Sequence, residues 1–122
     1  TYSNDSKISC AGVPQDLIAA HGAVSKPVAQ AMAEGAAAKT GADFGIGITG
    51  IAGPTGGTPE KPAGTVFIAV SERGAGTECR KEFFPTDRET FKQLASQAAL
   101  DMLRLRIVGD QAAFHQVLAP AP

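Results

Sequence analysis

The sequence predicts an α/β sandwich with a mixed sheet, and three observations lead to this fold class. Helical patterns ending in glycine occupy the first 41 residues, and apolar strand-like runs follow between residues 44 and 84. A long amphipathic helical pattern then begins near residue 87. Because helices both precede and follow the strands, helical layers are expected to cover a sheet. The 122 residues suffice for one domain with a modest core.

The first 22 residues predict the end of a strand and two short helices. Tyr2 is interpreted as the last residue of the strand, and Ser3 or Asn4 as the N-cap of a helix that ends at Gly12. A second helix over residues 15–20 follows a proline and stops at a glycine.

A third helix is predicted from Ser25, a good N-cap, to Gly41, with Pro27 in its first turn. It contains many small residues, which indicate a helix lying close against a sheet or another helix: Ala29, Ala31, Ala33, Gly35 and Ala36.

Three strands are predicted next. Residues 44–48 alternate glycine with large apolar residues, so this strand should be buried and have one bare face against which another element packs closely. Residues 65–71 and 77–84 read as a hairpin with a glycine-rich link at 73–76, the second strand being an exposed edge.

The longest helix is expected over residues 87–107, with Thr86 as its N-cap and Glu89 three positions later as a capping box. Its apolar stripe is assigned to the core and contains Phe91, Leu94, Ala95, Ala98, Met102 and Leu105. Residues 1–108 are taken as the domain, and 109–122 as a tail that is loose at its end.

The glycine-rich loop, residues 49–65, is the candidate functional element. It holds five of the 14 glycines and three of the eight prolines. An ordered loop of this length in a small domain is usually functional, and glycines allow backbone N–H groups to face a ligand. The loop therefore predicts one wall of a small-molecule site. A surface crossover between two strands is the alternative.

Two phosphate-binding motifs are rejected in this region. Residues 45–50 fit G-x-G-x-x-G, but the first two glycines lie within the strand and no helix follows. Residues 50–61 do not fit the Walker A pattern. Recognition of phosphate by exposed backbone N–H groups stays open beside a purely structural loop.

Two lysines have both a functional and a simpler interpretation. Lys7, one turn into the first helix and near Tyr2, could act as a general base if partial burial and the helix N-terminus lower its pKa. A solvated surface lysine is the simpler reading. Lys61 is either a ligand of a phosphate or carboxylate or a solvated loop charge.

Composition narrows the possible partners. A net charge of −1 gives no reason to expect a nucleic-acid surface, and no apolar run approaches the roughly 20 residues that span a bilayer. The polar N-terminus does not resemble a secretory signal, so the expected location is the cytoplasm. Cys10 and Cys79 are expected as free thiols, and the isolated His21 and His115 indicate no metal site.

Three stretches in matching order and spacing resemble the CinA C-terminal domain family, whose members include nicotinamide mononucleotide deamidases. They are Thr-Tyr-Ser-Asn-Asp-Ser-Lys at 1–7, His-Gly-Ala-Val-Ser at 21–25 and the glycine-rich loop. The resemblance runs to about residue 107 and implies a three-layer α/β/α domain with a mixed sheet, assembled as a homodimer. It implies an amidohydrolase that acts on this nucleotide without an organic cofactor.

The resemblance also implies roles for individual residues. The family is thought to use a serine nucleophile with a lysine base and a nearby tyrosine, which correspond here to Lys7 and Tyr2. The residues that would hold the nucleotide lie in the glycine-rich loop: Thr49, Gly50, Ala52, Gly53, Gly56, Gly57 and Lys61.

The sequence departs from the family in one respect. The Ser-Cys-Thr-Gly-Gly motif that carries the family's nucleophile does not occur in these 122 residues. If they are the whole polypeptide, little amidase activity is expected; if they are part of a longer chain, the full protein is expected to be the enzyme. The alternative function is a catalytically incomplete nucleotide-binding or interaction module of a CinA-type competence/damage-inducible protein.

Overall fold

The structure is a computed structural model that describes residues 12–118, with side chains described as far as residue 109. Three helices and three strands follow in the order α1 (Gln15–His21), α2 (Lys26–Thr40), β1 (Phe44–Gly50), β2 (Thr65–Glu72), β3 (Gly76–Phe83) and α3 (Arg88–Leu118). The strand and helix predicted before residue 12 lie outside the described residues.

The three strands form an antiparallel sheet in the order β1-β2-β3. Gly47 pairs with Ala69, and Ala69 pairs with Cys79 on the other side. The predicted hairpin is therefore confirmed. β3 is mostly exposed or half-buried, whereas β2 in the centre is almost entirely buried.

Helix α2 covers one face of this sheet. It can pack closely there because β1 presents the bare face that the sequence predicted. A Cβ atom on Gly45 would lie 2.0 Å from the carbonyl oxygen of Ala33, and one on Gly47 would lie 2.3 Å from that of Ala29. Both alanines are fully buried. Glycine on the strand and alanine on the helix thus let the two backbones approach closely, as the sequence predicted.

Helix α3 covers the opposite face, which gives three layers of an α/β fold. Its buried residues pack on the alternate side chains of β2, and the cluster consists of Val66, Ile68, Val70, Phe91, Ala95, Ala99 and Met102. The predicted stripe was wrong at Leu94 and Leu105, which are 41% and 47% exposed. Residues spaced by four, four and three positions face the sheet, and these two leucines lie to one side of that line.

Both ends of α3 differ from the prediction. The N-cap is Asp87, whose Oδ1 accepts a hydrogen bond from the backbone N–H of Thr90 at 2.9 Å; Thr86 had been expected there. The helix also continues past residue 107 to Leu118. A single exposed glycine at 109 costs only about 1 kcal/mol in a helix, and no proline interrupts the chain before residue 120.

The residues that end α1 and that begin and end α2 are those predicted from the sequence. Gly22 and Gly41 are the C-caps, and Ser25 is the N-cap of α2. The Ser25 hydroxyl, however, does not cap α2 but donates a hydrogen bond to the carbonyl of Gly22 at 2.8 Å. Within the described part of the chain, no helix is long and apolar enough to cross a membrane.

Candidate functional site

Two backbone hydrogen bonds close the glycine-rich loop at the point where it leaves β1 and enters β2. The N–H of Ile51 donates to the carbonyl of Thr65 at 2.9 Å, and the N–H of Gly64 donates to the carbonyl of Ile51 at 2.7 Å. These two bonds continue the pairing of β1 with β2 by one step. The residues between them are consequently held as a closed loop at one end of the sheet.

The outer part of the loop is ordered by its own hydrogen bonds. The N–H of Thr58 donates to the carbonyl of Lys61 at 2.9 Å, and the Thr58 hydroxyl accepts the N–H of Lys61 at 3.1 Å. An isolated bridge joins Gly57 to Pro62. A Cβ atom on Gly57 would lie 2.5 Å from the backbone nitrogen of Ala63, and the φ angle of Gly57 is +87°, so only glycine fits this narrow crossing.

One side of the loop lies against the chain that leads into α3. A Cβ atom on Gly53 would be 2.8 Å from the carbonyl oxygen of Thr86. Beside this contact is a small cavity of about 200 Å³, lined by Gly53, Pro54, Ala63, Pro85 and Thr86. It offers mainly apolar surface and little that could recognise a charged group.

The other side of the loop lies against the turn between α1 and α2. The Thr49 hydroxyl donates a hydrogen bond of 2.7 Å to the carbonyl of Ala23. The Lys61 ammonium donates to the carbonyl of Val24 at 2.5 Å and to that of His21 at 3.2 Å. Three hydrogen bonds therefore connect segments that are 26 to 40 residues apart in the sequence.

The residues expected to bind the nucleotide fall into three groups by their exposure in this structure. The solvent-exposed ones are Gly50, Gly56 and Gly57, the half-buried ones are Ala52 and Lys61, and the buried ones are Thr49 and Gly53. Lys7 and Tyr2, the expected catalytic pair, lie outside the described residues, so their relation to the loop stays a prediction.

Several glycines have a packing role that the sequence did not reveal. Gly50 faces Phe91, because a Cβ there would lie 2.9 Å from the ring atom Cζ. Together with Gly53 and Gly57 it lets the loop pass close to neighbouring backbone or side chains. Of the expected nucleotide-binding glycines, Gly56 alone is exposed and free of such a close approach, with its nearest neighbour at 3.6 Å.

Asp87, just before α3, and Cys79, on β3, have shifted pKa values. The backbone N–H and hydroxyl of Thr90, both hydrogen-bonded to the Asp87 carboxylate, lower its pKa. Cys79, a half-buried free thiol on β3, has its pKa raised by burial, while the nearby Lys26 ammonium lowers it by a smaller amount. Among the side chains that the structure describes, no three His, Cys, Asp or Glu are grouped so that they could hold a metal ion.

The turn at residues 21–25 is the functional candidate that residue-by-residue reasoning missed. A glycine helix stop and a serine cap predicted a tight connection between α1 and α2, and the sequence motif marked it only through the resemblance. The direction of its carbonyl groups, toward the glycine-rich loop, depends on tertiary packing and has no signature in the sequence.

Comparison with known proteins places the chain among CinA-related proteins. The family model for the CinA C-terminal domain matches residues 1–107. A CinA-like protein of Anaeromyxobacter sp. (strain K) is 53% identical over 106 residues, which cover 87% of this chain. A CinA-like protein of Gemmatimonas aurantiaca is 52% identical over 114 residues, or 91% of this chain. In both cases the chain covers 26% of the relative's length.

Solved structures agree with this. The competence damage-inducible protein A of Klebsiella pneumoniae superposes with a TM-score of 0.82 at 38% identity, covering 88% of this chain and 66% of that one. A competence/damage inducible protein of Agrobacterium tumefaciens gives a TM-score of 0.80 at 36% identity, covering 84% of this chain and 63% of that one.

Proposed function

The chain belongs to the CinA C-terminal domain family, and we propose that it forms most of an amidohydrolase domain. The proposed substrate is nicotinamide mononucleotide, which water converts to nicotinate mononucleotide and ammonia. The observation that carries this proposal is the family's glycine-rich loop, which is ordered, closed at its base and in contact with the family's second motif at residues 21–25.

The nucleotide is proposed to lie against the exposed part of the loop near Gly56 and Gly57, where backbone N–H groups can approach a phosphate. Gly50, Ala52 and Gly53 would shape the wall beside it. A loop with its base and tip both hydrogen-bonded can present these groups without first having to order them, which favours binding.

The chemistry is assigned to residues of the first motif, acting with a serine nucleophile of the kind that the family is thought to use. Lys7 would take the proton from the serine hydroxyl, and the serine oxygen would attack the carboxamide carbon. The carbon–nitrogen bond then breaks, the proton passes to the leaving nitrogen, and ammonia departs. Water hydrolyses the resulting ester and restores the serine, while Tyr2 is proposed to assist proton transfer.

Ammonia release from nicotinamide mononucleotide by the intact protein tests this function. Lys7→Ala should reduce turnover by at least about a hundredfold, the usual worth of a general base. Lys92→Ala is the matched control, because Lys92 lies exposed on α3 and pairs only with the neighbouring Glu89 among the described side chains. Wild-type turnover in the Lys7 variant would remove that lysine from the mechanism.

A nucleotide-binding module without catalysis is the second candidate, because the exposed part of the loop near Gly56 and Gly57 could hold a nucleotide whether or not hydrolysis follows. The same assay separates the two functions when it is combined with calorimetric titration of the nucleotide. Binding by the intact protein without ammonia release would support the module, and release of ammonia would exclude it.

A further inference from the structure

Four successive carbonyl groups in the turn between α1 and α2 each accept a hydrogen bond from a side chain. The carbonyls of His21 and Val24 accept the Lys61 ammonium, and that of Ala23 accepts the Thr49 hydroxyl. The remaining one, of Gly22, accepts the Ser25 hydroxyl from within the turn. Three of the four bonds therefore come from the glycine-rich loop and its first residue.

Lys61 suits this position chemically. The last carbonyls of a helix lack partners inside the helix and attract positive charge, and His21 is the last residue of α1. An ammonium group has three N–H donors, of which Lys61 uses two here. The side chain passes so close to the turn that a Cβ atom on Gly22 would lie 3.5 Å from its Nζ.

Thr49 makes the matching connection at the other end of the loop. Its side chain is buried, with 5% of the residue exposed. A hydroxyl group has a single proton, and the bond to Ala23 uses it. Thr49 is therefore unable to donate to a ligand phosphate while this bond is kept.

We propose that Lys61 is a positioning residue: its ammonium group, together with the Thr49 hydroxyl, fixes the glycine-rich loop on the 21–25 turn, and it makes no contact with the phosphate of the nucleotide. This inference rests on the proposed function where it concerns substrate, and on the loop's own order where it does not. It also gives the His-Gly-Ala-Val-Ser motif a role, as the platform on which the loop is seated.

The first test measures the loop without any ligand. Backbone hydrogen–deuterium exchange across residues 51–64 is compared in the intact wild-type protein, Lys61→Met and the exposed-lysine control Lys92→Met. The loop should exchange at least several times faster in Lys61→Met and at the wild-type rate in the control. Unchanged exchange in Lys61→Met would overturn the proposal, whether or not the protein proves to be an amidase.

The second test separates positioning from phosphate binding. Affinities are measured for nicotinamide mononucleotide and for nicotinamide riboside, which lacks the phosphate. Lys61→Met should weaken the affinities for both compounds by a similar factor, about tenfold for the loss of a hydrogen bond from a charged group. A loss confined to the phosphorylated compound would make Lys61 a phosphate ligand and refute the proposal.

Variants at Thr49 keep the proposal testable if the Lys61 variant does not fold. Thr49→Val removes the hydroxyl at nearly constant volume and should also speed exchange in residues 51–64. Thr49→Ser keeps the hydroxyl, so exchange in residues 51–64 should stay as slow as in the wild type. Equal behaviour of the valine and serine variants would show that the link to Ala23 does not hold the loop.

Discussion

Arg106 donates a hydrogen bond from Nε to Oε1 of Glu72 at 2.6 Å, and both side chains are only 20% exposed. The Nη2 group of the same arginine donates to the carbonyl of Ala75 at 3.2 Å. One side chain of α3 thus binds the end of β2 and the turn that follows it. This contact fixes α3 over the sheet at the end opposite to the glycine-rich loop.

Arg106→Met should accordingly destabilise the protein, because it leaves the Glu72 carboxylate shielded from water without its partner. We expect the free energy of unfolding to fall by about 1 to 3 kcal/mol. Urea denaturation of the intact protein measures it. Arg104→Met is the control, since the Arg104–Asp101 pair is about 60% exposed and should change stability by less than about 0.5 kcal/mol. Equal losses in both variants would contradict this account.

The close approach of β1 to α2 predicts a second large effect. Gly45→Ala places a methyl group 2.0 Å from the carbonyl oxygen of Ala33, so the strand and helix must separate. The free energy of unfolding should fall by about 1 to 3 kcal/mol, which denaturant midpoints report.

Gly109→Ala is the matched control for that substitution. A Cβ atom on this exposed helical glycine would meet nothing within 4 Å. Alanine is the better helix former, so the control should gain up to about 1 kcal/mol. A Gly45 variant as stable as the wild type would mean that α2 does not lie against the strand as described.

Sequence patterns predicted those features that depend on neighbouring residues. Alternating glycine in β1 predicted the bare face, because the pattern and its consequence lie on one strand. The hairpin and the glycines that end α1 and α2 were also predicted correctly, because they too depend on residues that are close together in the sequence. The N-cap of α3 was misplaced by one residue, because Thr86 and Asp87 are both good caps and only the backbone geometry selects between them.

The long-range arrangement of the site could not be predicted in that way. Lys61 was left as either a ligand or a solvated charge, since nothing in the loop sequence shows that its ammonium reaches Val24, 37 residues away. Gly50 and Gly53 were expected to bind a ligand, but glycine is also required at these positions by their close contacts with Phe91 and Thr86. Such contacts arise when separate elements pack, so they leave no local periodicity to detect.

The reactivity of Cys79 follows from its partial burial. Because burial raises the pKa of this thiol, a smaller fraction is thiolate at neutral pH, and alkylation should be several times slower than in the unfolded protein. Lys26→Met should slow it further, since the Lys26 ammonium lowers the pKa. Timed labelling with iodoacetamide, followed by mass spectrometry of the peptide that carries Cys79, measures the rate. Faster labelling in the Lys26 variant would contradict the assigned sign.

The cap of α3 predicts a pH dependence. The hydrogen bonds from Thr90 favour the ionised Asp87 carboxylate and lower its pKa in the folded state. The stabilisation from this charge is therefore complete above the ordinary carboxyl pKa, near 4, and is lost as the pH falls through the lower folded value. Asp87→Ala should be less stable than the wild type at pH 7, and the difference should narrow as the pH falls below about 4.

Two further variants make the cap assignment specific. Asp87→Asn keeps an acceptor for the Thr90 N–H but has no charge, so its stability should lie between those of the wild type and Asp87→Ala at pH 7. Thr86→Ala should cost less than Asp87→Ala, because the Thr86 hydroxyl donates a long hydrogen bond of 3.3 Å to the Asp87 carboxylate and caps no backbone N–H among the described residues. Urea midpoints at pH 7 and pH 3 measure all four proteins. If Thr86→Ala were the more damaging substitution, the helix would begin where the capping-box pattern placed it, and Asp87 would not be its cap.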